Sequence, residues 1–521
     1  MNAEAAALVA DLPDRIGALA TKWAAIAPDR PALVEPSGTW RYGDLPGIVA
    51  ATRAWLTQSG VRPGDRVMIV AENCRATVAL LLGAASLDAW PLIVNARLSD
   101  REIDQIRDLS GSRRTIYTIA VSPRARLHAA RHGADAVTVE PLGTIALGPL
   151  NRETAPEPVE TSGADQVATV IYTSGTTGVP KGVMLTHRNL LFVAKVSGLL
   201  RHLGPEDRVY GVLPASHVLG LSVVLLGALY HGATLHLTAR FDPAAILAAL
   251  ERDRLTFIIG APGLYALMAE YAKLKGIARL ENHGLRVIAT AGAPLDPTTK
   301  AAAEALFGLP LNNGYGITEC APSISQTRLD SPRLDCSVGP LWPGVEVKLV
   351  GADGQAVAPG EIGELRVRGP NLMKGYYRAP EETAAAIDGE GWFNTRDLAR
   401  IEDDHLFIAG RSKELIIRFG FNVYPPEVET VLNAHPGVTQ SAVIGRSVSG
   451  TEEIIAFVQA APNAHLSDTD LADHAARQLA PYKRPTEIFV LPSLPAGANG
   501  KILKSALLPI AEELLAQRRA A

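Results

Sequence analysis

Short β-branched runs alternate with helical segments along the first part of the chain, and this order constrains the fold more than any other feature. Residues 66–70 form such a run, residues 76–87 have helical composition, and residues 92–94 form the next run. Ser99 then begins a helix, because Glu102 three residues later completes a capping box. The pattern recurs at 208–213, 234–237, 257–259 and 287–290. Strand–helix–strand order predicts an α/β fold with a mostly parallel sheet covered by helices.

The pattern of predicted strands and helices changes after about residue 335. Short strands separated by Gly and Pro turns are predicted at 345–350, 363–368 and 405–408, which indicates an antiparallel, barrel-like β subdomain. A compact α+β unit follows from residue 412, with predicted strands at 415–417, 440–444, 454–460 and 487–490 and helices at 426–432 and 468–479. We therefore predict a large N-terminal domain over 1–411 and a small C-terminal domain over 412–521.

Composition excludes several classes of protein. Lys plus Arg is 50 and Asp plus Glu is 54, so the chain has no general basic field for nucleic acid. The three cysteines, Cys74, Cys320 and Cys336, are scattered, so neither a disulfide framework nor a CxxC zinc pair is expected. The first 15 residues lack a basic region followed by an apolar core, and the most apolar stretch, 219–229, is too short to span a bilayer. The expectation is a cytoplasmic enzyme without a membrane span.

The segment 171–182, with the sequence IYTSGTTGVPKG, has the composition of a phosphate-binding loop. It follows a predicted strand at 167–172 and contains four hydroxyls, three glycines and Lys181 within ten residues. Glycine lets backbone N–H groups approach an anion, while hydroxyls and a lysine add donors and positive charge. The Walker A spacing is absent. A polar surface loop is the alternative interpretation.

Together with other motifs, this loop resembles the signature of the adenylate-forming superfamily, which includes acyl- and aryl-CoA ligases, luciferases and adenylation domains. Further motifs resemble family segments in order at 39–45, 313–319, 392–397, 410–414 and 500–504. The resemblance covers nearly the whole chain and is nearest to the coumarate- and cinnamate-CoA ligases. It implies ATP, Mg²⁺ and CoA as cofactors and co-substrates, and a mobile C-terminal domain.

The resemblance also implies roles for individual residues of the nucleotide site. Glu319 would hold Mg²⁺ and act in catalysis with Thr318, Tyr315 would offer a flat face to adenine, and Asp397 would accept the ribose hydroxyls. The ATP- and AMP-binding residues implied are Thr173, Ser174, Gly175, Thr176, Thr177, Gly178, Lys181, Gly292, Ala293, Pro294, Asn313, Gly314, Tyr315, Gly316, Ile317, Thr318, Asp397, Arg411 and Lys501.

The predicted C-terminal domain would contribute the catalytic lysine and the CoA path. Lys501 would reach across a cleft to bridge the carboxylate and the α-phosphate, since a lysine is a compact charge on a flexible stem. Lys413 occupies the hinge position, and Phe419 and Gly420 fall where the family forms its pantetheine tunnel. Ile417 and Phe419 stand where the coumarate-type pattern has lysines, which removes two charged contacts.

By the same resemblance the acid would bind among His217, Val218, Leu219, Val223, Gly292, Gly314 and Ser323. His217 would orient the carboxylate, and the three aliphatic residues would form the acyl wall. Because these three residues offer no hydrogen-bond partner, a ring hydroxyl buried at this wall would cost about 1–3 kcal/mol. No arginine occurs in these segments, so an anionic substrate such as malonate is not expected. An apolar aromatic acid is therefore expected, and a medium or branched aliphatic acid is the alternative.

The predicted activity is that of an ATP-dependent carboxylic acid–CoA ligase, which passes through an acyl-AMP intermediate. Two other functions stay open: an adenylation enzyme that loads a carrier protein in trans, and a nucleotide-binding regulator without chemistry. The predicted partners are a small carboxylic acid and CoA, a second copy of the chain in a homodimer, and a lysine acetyltransferase that modifies Lys501.

Overall fold

The structure is a computed structural model that describes residues 2–173, 180–418, 421–448, 451–462, 464, 466–497 and 501–520. Its first elements, in chain order, are α1 (Ala3–Val9), α2 (Leu19–Ile26), β1 (Pro31–Glu35), β2 (Gly38–Arg41), α3 (Leu45–Gln58), β3 (Arg66–Ala71), α4 (Arg75–Ala85), β4 (Trp90–Asn95), α5 (Asp100–Ser110), β5 (Arg114–Tyr117), α6 (Pro123–Arg131), β6 (Asp135–Val139) and β7 (Gly143–Leu147). The predicted capping box of Ser99 and Glu102 begins α5.

Within the described residues, a five-stranded sheet has the order β4-β3-β5-β7-β6. The pairs β3–β4 and β3–β5 are parallel, whereas β7 pairs antiparallel with β5 and β6. Every residue of β3 and β4 is buried. The continuous apolar runs at 66–70 and 92–94 therefore reflect strands that are covered on both faces.

The next elements are β8 (Val167–Thr173), β9 (Lys181–Thr186), α7 (His187–Leu200), β10 (Arg208–Gly211), a π-helix (Leu219–Leu226), α8 (Gly227–His231), β11 (Thr234–Leu237), α9 (Pro243–Arg252), β12 (Phe257–Gly260), α10 (Pro262–Leu274), β13 (Val287–Thr290), α11 (Pro297–Phe307), β14 (Leu311–Gly316) and β15 (Ser323–Gln326). In the described part of the chain, an eight-stranded sheet has the order β15-β14-β13-β12-β10-β11-β1-β2. Its interior pairs are parallel and its two edge pairs, β1–β2 and β14–β15, are antiparallel. The mostly parallel sheet is confirmed.

The apolar stretch 219–229 is buried inside the protein. It forms the π-helix and the beginning of α8, and both pack against α7 in the large hydrophobic core. Among the helices of the described residues, none combines the length and apolarity needed to cross a bilayer.

The predicted antiparallel subdomain follows, with β16 (Glu346–Val350), β17 (Gly363–Arg368), β18 (Gly375–Tyr376), α12 (Pro380–Ala386), β19 (Phe393–Glu402) and β20 (His405–Arg411). The order β16-β17-β19-β20 is antiparallel throughout, as predicted. The short strand β18 instead pairs with β9 of the hairpin formed by β8 and β9. This pairing brings residues after 370 next to the predicted phosphate loop.

The remaining elements are β21 (Ile416–Arg418), β22 (Phe421–Val423), α13 (Pro425–Asn433), β23 (Val438–Val448), β24 (Thr451–Ala460), α14 (Asp468–Gln478), β25 (Glu487–Leu491) and α15 (Leu507–Ala520). The sheet β23-β24-β25 is covered by helices, and β24 and β25 are parallel. Among described residues, its two hydrophobic clusters contain only residues from Ile416 onward. The α/β fold with a separate C-terminal α+β unit is confirmed.

Candidate active site

The predicted phosphate loop joins the two strands of a β-hairpin. β8 and β9 pair antiparallel, and Thr173 is opposite Lys181 at the open end of the ladder. The loop residues Ser174, Gly175, Thr176, Thr177 and Gly178 lie outside the described residues. The two flanks that fix the loop ends are therefore part of a regular strand pair.

Lys181 and Glu319 meet around Tyr376, a residue that the sequence analysis missed. The Lys181 Nζ lies 5.1 Å from the centroid of the Tyr376 ring. The Tyr376 hydroxyl donates to Glu319 Oε1 at 2.8 Å. Tyr376 reaches this place because β18 pairs with β9. The cluster puts a cation, a phenol and a carboxylate next to the predicted loop.

The donor set at this cluster fits Mg²⁺ bound together with a nucleotide. Thr318 and Glu319 lie in one 3₁₀ turn, Thr318–Cys320, and a second carboxylate oxygen of Glu319 is available beside the one that Tyr376 contacts. In the part of the chain that the structure describes, no group of three or more His, Cys, Asp or Glu residues could hold a metal by itself. Mg²⁺ commonly uses one or two carboxylates and takes its other ligands from phosphate and water.

Asp397 connects the predicted adenine segment to the predicted ribose and hinge segments. Its Oδ2 accepts from the Tyr315 hydroxyl at 2.5 Å and its Oδ1 accepts from Arg411 Nε at 3.1 Å. Asp397 is 3% exposed, and burial raises its pKa while Arg411 and Tyr315 oppose part of that rise. Each carboxylate oxygen accepts more than one hydrogen bond, so ribose hydroxyls can add to these contacts.

The structure brings Lys501 into the same site as His217 and Asp397. The Lys501 charge depresses the pKa of His217, adding to a larger effect of burial, and also lowers the pKa of Asp397. Burial in turn lowers the pKa of Lys501 itself, with Arg411 contributing and Asp397 opposing. The charge of Lys501 thus acts on both His217 and Asp397, although the three residues are far apart in sequence.

A partly buried ion cluster anchors the segment that carries Lys501. Lys504 Nζ lies 2.7 Å from Glu429 Oε1 on α13 and 3.2 Å from Glu414 Oε2, next to the predicted hinge residue Lys413. Backbone hydrogen bonds from Gly497 N to the Lys501 carbonyl and from Leu503 N to the Pro495 carbonyl join the residues before 498 to those after 500. The predicted CoA residues Phe419 and Gly420 lie outside the described residues.

Small residues shape the end of the predicted nucleotide and acid site. A Cβ atom on Gly316 would lie 1.9 Å from the Pro322 carbonyl oxygen, so only glycine fits there. Ser323 is paired with Gly316 and is buried. Gly292 follows β13 with φ of +88°, which favours glycine, and Ala293 and Pro294 continue that turn.

The aliphatic wall begins directly after His217. Val218, Leu219 and Val223 are all buried at the start of the π-helix. His217 Nδ1 accepts from Leu219 N at 3.3 Å, which holds the imidazole against the helix start. π-Helical turns are rare and occur frequently at functional sites.

Asn73, which the sequence analysis also missed, fixes the backbone before this wall. It follows β3 and is buried, and its Nδ2 donates to the Gly211 and Leu213 carbonyls at 3.0 and 2.9 Å. Its Oδ1 accepts from Ala215 N at 2.9 Å. One amide side chain therefore satisfies three backbone groups of the segment that leads to His217.

Lowering the pH from about 6.5 to 4 is expected to destabilise the protein partly through His217. Burial and the Lys501 charge lower its pKa from 6.5 to about 4, so the unfolded chain binds a proton that the folded protein refuses in this window. Stability therefore falls as the pH falls, and His217→Gln should remove that part of the slope. Denaturant unfolding at several pH values measures it, with exposed His202→Asn as the control. Parallel curves for wild type and His217→Gln would contradict the assignment.

Two family models match the chain. The model described as AMP-binding enzyme covers residues 20–377, and the model described as AMP-binding enzyme C-terminal domain covers residues 427–501.

The chain is also similar to named proteins over almost its full length. It is 34% identical to a feruloyl-CoA synthase of Amycolatopsis sp over 94% of this chain and 97% of that one. It is 32% identical to 4-coumarate–CoA ligase 2 of Oryza sativa subsp. japonica over 93% and 90%. The ATP-bound structure of MatB from Rhodopseudomonas palustris superposes with a TM-score of 0.81, 28% identity and coverage of 95% and 98%.

Proposed function

Because the chain belongs to the adenylate-forming superfamily of AMP-binding enzymes and is an ATP-dependent acyl- or aryl-CoA ligase that uses Mg²⁺ and CoA, we propose that it works in two steps. In the first step a carboxylate oxygen attacks the α-phosphorus of ATP, which gives acyl-AMP and releases pyrophosphate. In the second step the CoA thiol attacks the acyl carbon and AMP leaves.

The observation that carries this proposal is the shared environment of Lys501, His217 and Asp397. Both reactants of the first step are anions, so fixed positive charge at their meeting point lowers the barrier. Lys501 would bridge the carboxylate and the α-phosphate, and Lys181 and Arg411 would contact other phosphate or ribose oxygens. Burial keeps His217 neutral at pH 7, so it would orient the acid by hydrogen bonding.

For the second step we propose that residues 412–521 rotate about Lys413 as a mobile domain. Rotation would withdraw Lys501 and bring the segment of Phe419 and Gly420 to the acyl-AMP as the path for CoA. The ion cluster of Lys504, Glu414 and Glu429 supports movement as one body, because all three residues lie after the hinge position.

We propose an acid with an apolar, preferably aromatic, body. Three buried aliphatic side chains, Val218, Leu219 and Val223, offer such a body dispersion contacts. The names of the two relatives, a feruloyl-CoA synthase and a coumarate–CoA ligase, support an aromatic acid. A medium or branched aliphatic acid fits the same wall, and a carrier protein could replace CoA as the thiol.

The test is a panel of carboxylic acids incubated with the purified protein, MgATP and CoA. A thioester of the mass expected for one acid, with equal amounts of AMP and pyrophosphate, supports the proposal. Acid-dependent pyrophosphate release without any CoA thioester, but with acylation of a carrier protein, would identify the carrier-loading alternative. No pyrophosphate release with any acid would contradict ligase chemistry.

We also propose that Lys501 is open to control by an acetyltransferase, since acetylation removes the charge on which adenylation depends. An enzyme homogeneously acetylated at Lys501 should adenylate about 10²–10³-fold more slowly, the effect of removing one stabilising charge from the transition state. Deacetylation should restore the rate. Full activity of the acetylated enzyme would contradict this role.

A homodimer stays a prediction, which sedimentation of the purified protein tests.

A further inference from the structure

A buried arginine faces a small cavity beside β13 and β14. Arg201 follows α7 and is 7% exposed. Its Nη1 donates to Ser197 Oγ at 2.8 Å, and its guanidinium carbon lies 5.9 Å from the centroid of the Trp342 ring. The cavity has a volume of about 10 Å³, which leaves room for about one water molecule or one oxygen atom of a ligand. It is lined by Arg201 together with Thr290, Asn313, Gly314 and Gln326.

No described residue places a negative charge beside this guanidinium. Among the residues that the structure describes, no carboxylate oxygen lies within 4.0 Å of it, and the one charged neighbour that acts on its pKa is another cation, Arg328. Burial, with a smaller contribution from Arg328, lowers the pKa of Arg201 to about 9, so it is still charged at pH 7. Buried charges are normally paired, because an unpaired one is expensive to desolvate.

Polar side chains on the cavity wall also lack partners. Thr290 Oγ1, Asn313 Oδ1 and Gln326 Oε1 have no hydrogen-bond partner among the described residues, although each residue is at most 5% exposed. A threonine hydroxyl can donate, and an amide presents either its oxygen or its NH₂ after a 180° rotation. The Asn313 amide nitrogen already donates to the Cys336 and Ser337 carbonyls, so its oxygen would contact a bridging water.

The cavity adjoins the predicted acid site. Gly314 lines the cavity and is also a residue of the predicted acid pocket, where it lies between Asn313 and Tyr315 on β14. The sequence analysis found no arginine in the segments of that pocket. Arg201 comes from the end of α7, and its guanidinium points back along the helix to Ser197, where it meets β13 and β14.

We propose that Arg201, with Thr290 and Gln326, binds a second anionic group at the far end of the acid, such as a carboxylate or a sulfonate. The substrate would then have an apolar body between two anionic ends, one at His217 and one at Arg201. This inference rests on the proposed function, and it narrows the acid to a class that the aliphatic wall alone does not indicate.

The test compares acids that differ only at the far end. 4-Carboxycinnamate is compared with 4-methylcinnamate, and terephthalate with 4-methylbenzoate, so that two lengths are covered. For the pair of fitting length, wild type should favour the dianion in kcat/KM by roughly 10- to 150-fold, the range for hydrogen bonds to a charged group. Arg201→Met should abolish that preference, and Arg201→Lys should keep part of it.

Arg114→Met is the matched control. Arg114 is also a partly buried arginine whose pKa is lowered by burial, but it lies on β5 of the five-stranded sheet and donates to the Ser59 and Gly148 carbonyls. Its replacement should leave the preference between the paired acids unchanged. Circular dichroism and thermal unfolding show whether Arg201→Met is folded, and Arg201→Lys keeps the test decisive if it is not.

Titration calorimetry with a non-hydrolysable ATP analogue separates this inference from the proposed function. Arg201-dependent binding of the dianion supports the inference even if no thioester forms. Equal binding of both acids of each pair by wild type, or an unchanged preference in the Arg201 variants, overturns it. Inorganic sulfate is titrated as well: Arg201-dependent sulfate binding without discrimination between the paired acids would mean a free-anion site and would also overturn it.

Discussion

Lys501→Ala is expected to lower the rate of adenylation about 10²–10³-fold, the effect of removing one stabilising group from a transition state that gathers negative charge. Thioester formation from supplied acyl-AMP should change much less, because the proposed rotation has withdrawn Lys501 by then. Pyrophosphate release measures the first half-reaction, and the appearance of the acyl-CoA mass measures the second.

The control for this experiment is Lys273→Ala, which removes an exposed lysine from the last turn of α10. Its two half-reactions should match those of wild type. Equal losses in both half-reactions of Lys501→Ala would refute the bridging role. Such a result would indicate that Lys501 holds the fold of the segment that carries it or acts in both steps.

Gly316→Ala is expected to have the second large effect. The new Cβ would lie 1.9 Å from the Pro322 oxygen and 2.6 Å from its carbon, both backbone atoms that cannot rotate away. The turn between β14 and β15 must therefore shift, at a cost of about 1–3 kcal/mol in the free energy of unfolding. Because Tyr315, Thr318 and Glu319 flank this turn, kcat/KM for ATP should fall about tenfold or more, in line with lost charged contacts.

Gly47→Ala is a matched control, which should change the free energy of unfolding in the opposite direction. Gly47 lies exposed inside α3 with no atom within 4 Å of the new Cβ. Alanine there should leave ATP kinetics unchanged and raise the free energy of unfolding by about 0.4–1 kcal/mol, since it reduces the entropy of the unfolded chain. Chemical denaturation compares both variants. A Gly316→Ala protein with wild-type stability and ATP kinetics would show that the turn adapts freely.

Local patterns predicted many strands because burial leaves a signal in the sequence: a mostly apolar run where a strand is covered on both faces, as in β11, and an alternating run where one face is covered, as in β17. The strands at 234–237 and 363–368 agree with β11 and β17 at both ends. The sequence did not predict which strands pair with each other. β18 pairs with β9, about 190 residues earlier in the chain, and a strand of two residues is too short to show a periodic pattern. Tyr376 was missed for this reason, although it is the residue between Lys181 and Glu319.

Sequence motifs predicted the candidate site, but they did not predict which of its side chains contact each other across the fold. Tyr315 was expected to offer only a ring face, yet its hydroxyl donates to Asp397 across 82 positions of sequence. No spacing rule links two such residues, because the contact depends on how β14 meets the β19–β20 ladder. Arg201 illustrates the same limit, since the cavity that it faces is formed by strands far from it in sequence.

The three hydrogen bonds of Asn73 have a consequence for how the acid pocket can vary. They fix the backbone at Gly211, Leu213 and Ala215 through a side chain that belongs to the other sheet. Asn73 therefore holds the main chain of residues 211–215 in place, whatever side chains follow at positions 218, 219 and 223. A conservative change at one of these positions should therefore alter the selectivity of the pocket more than the path of the main chain that leads to it.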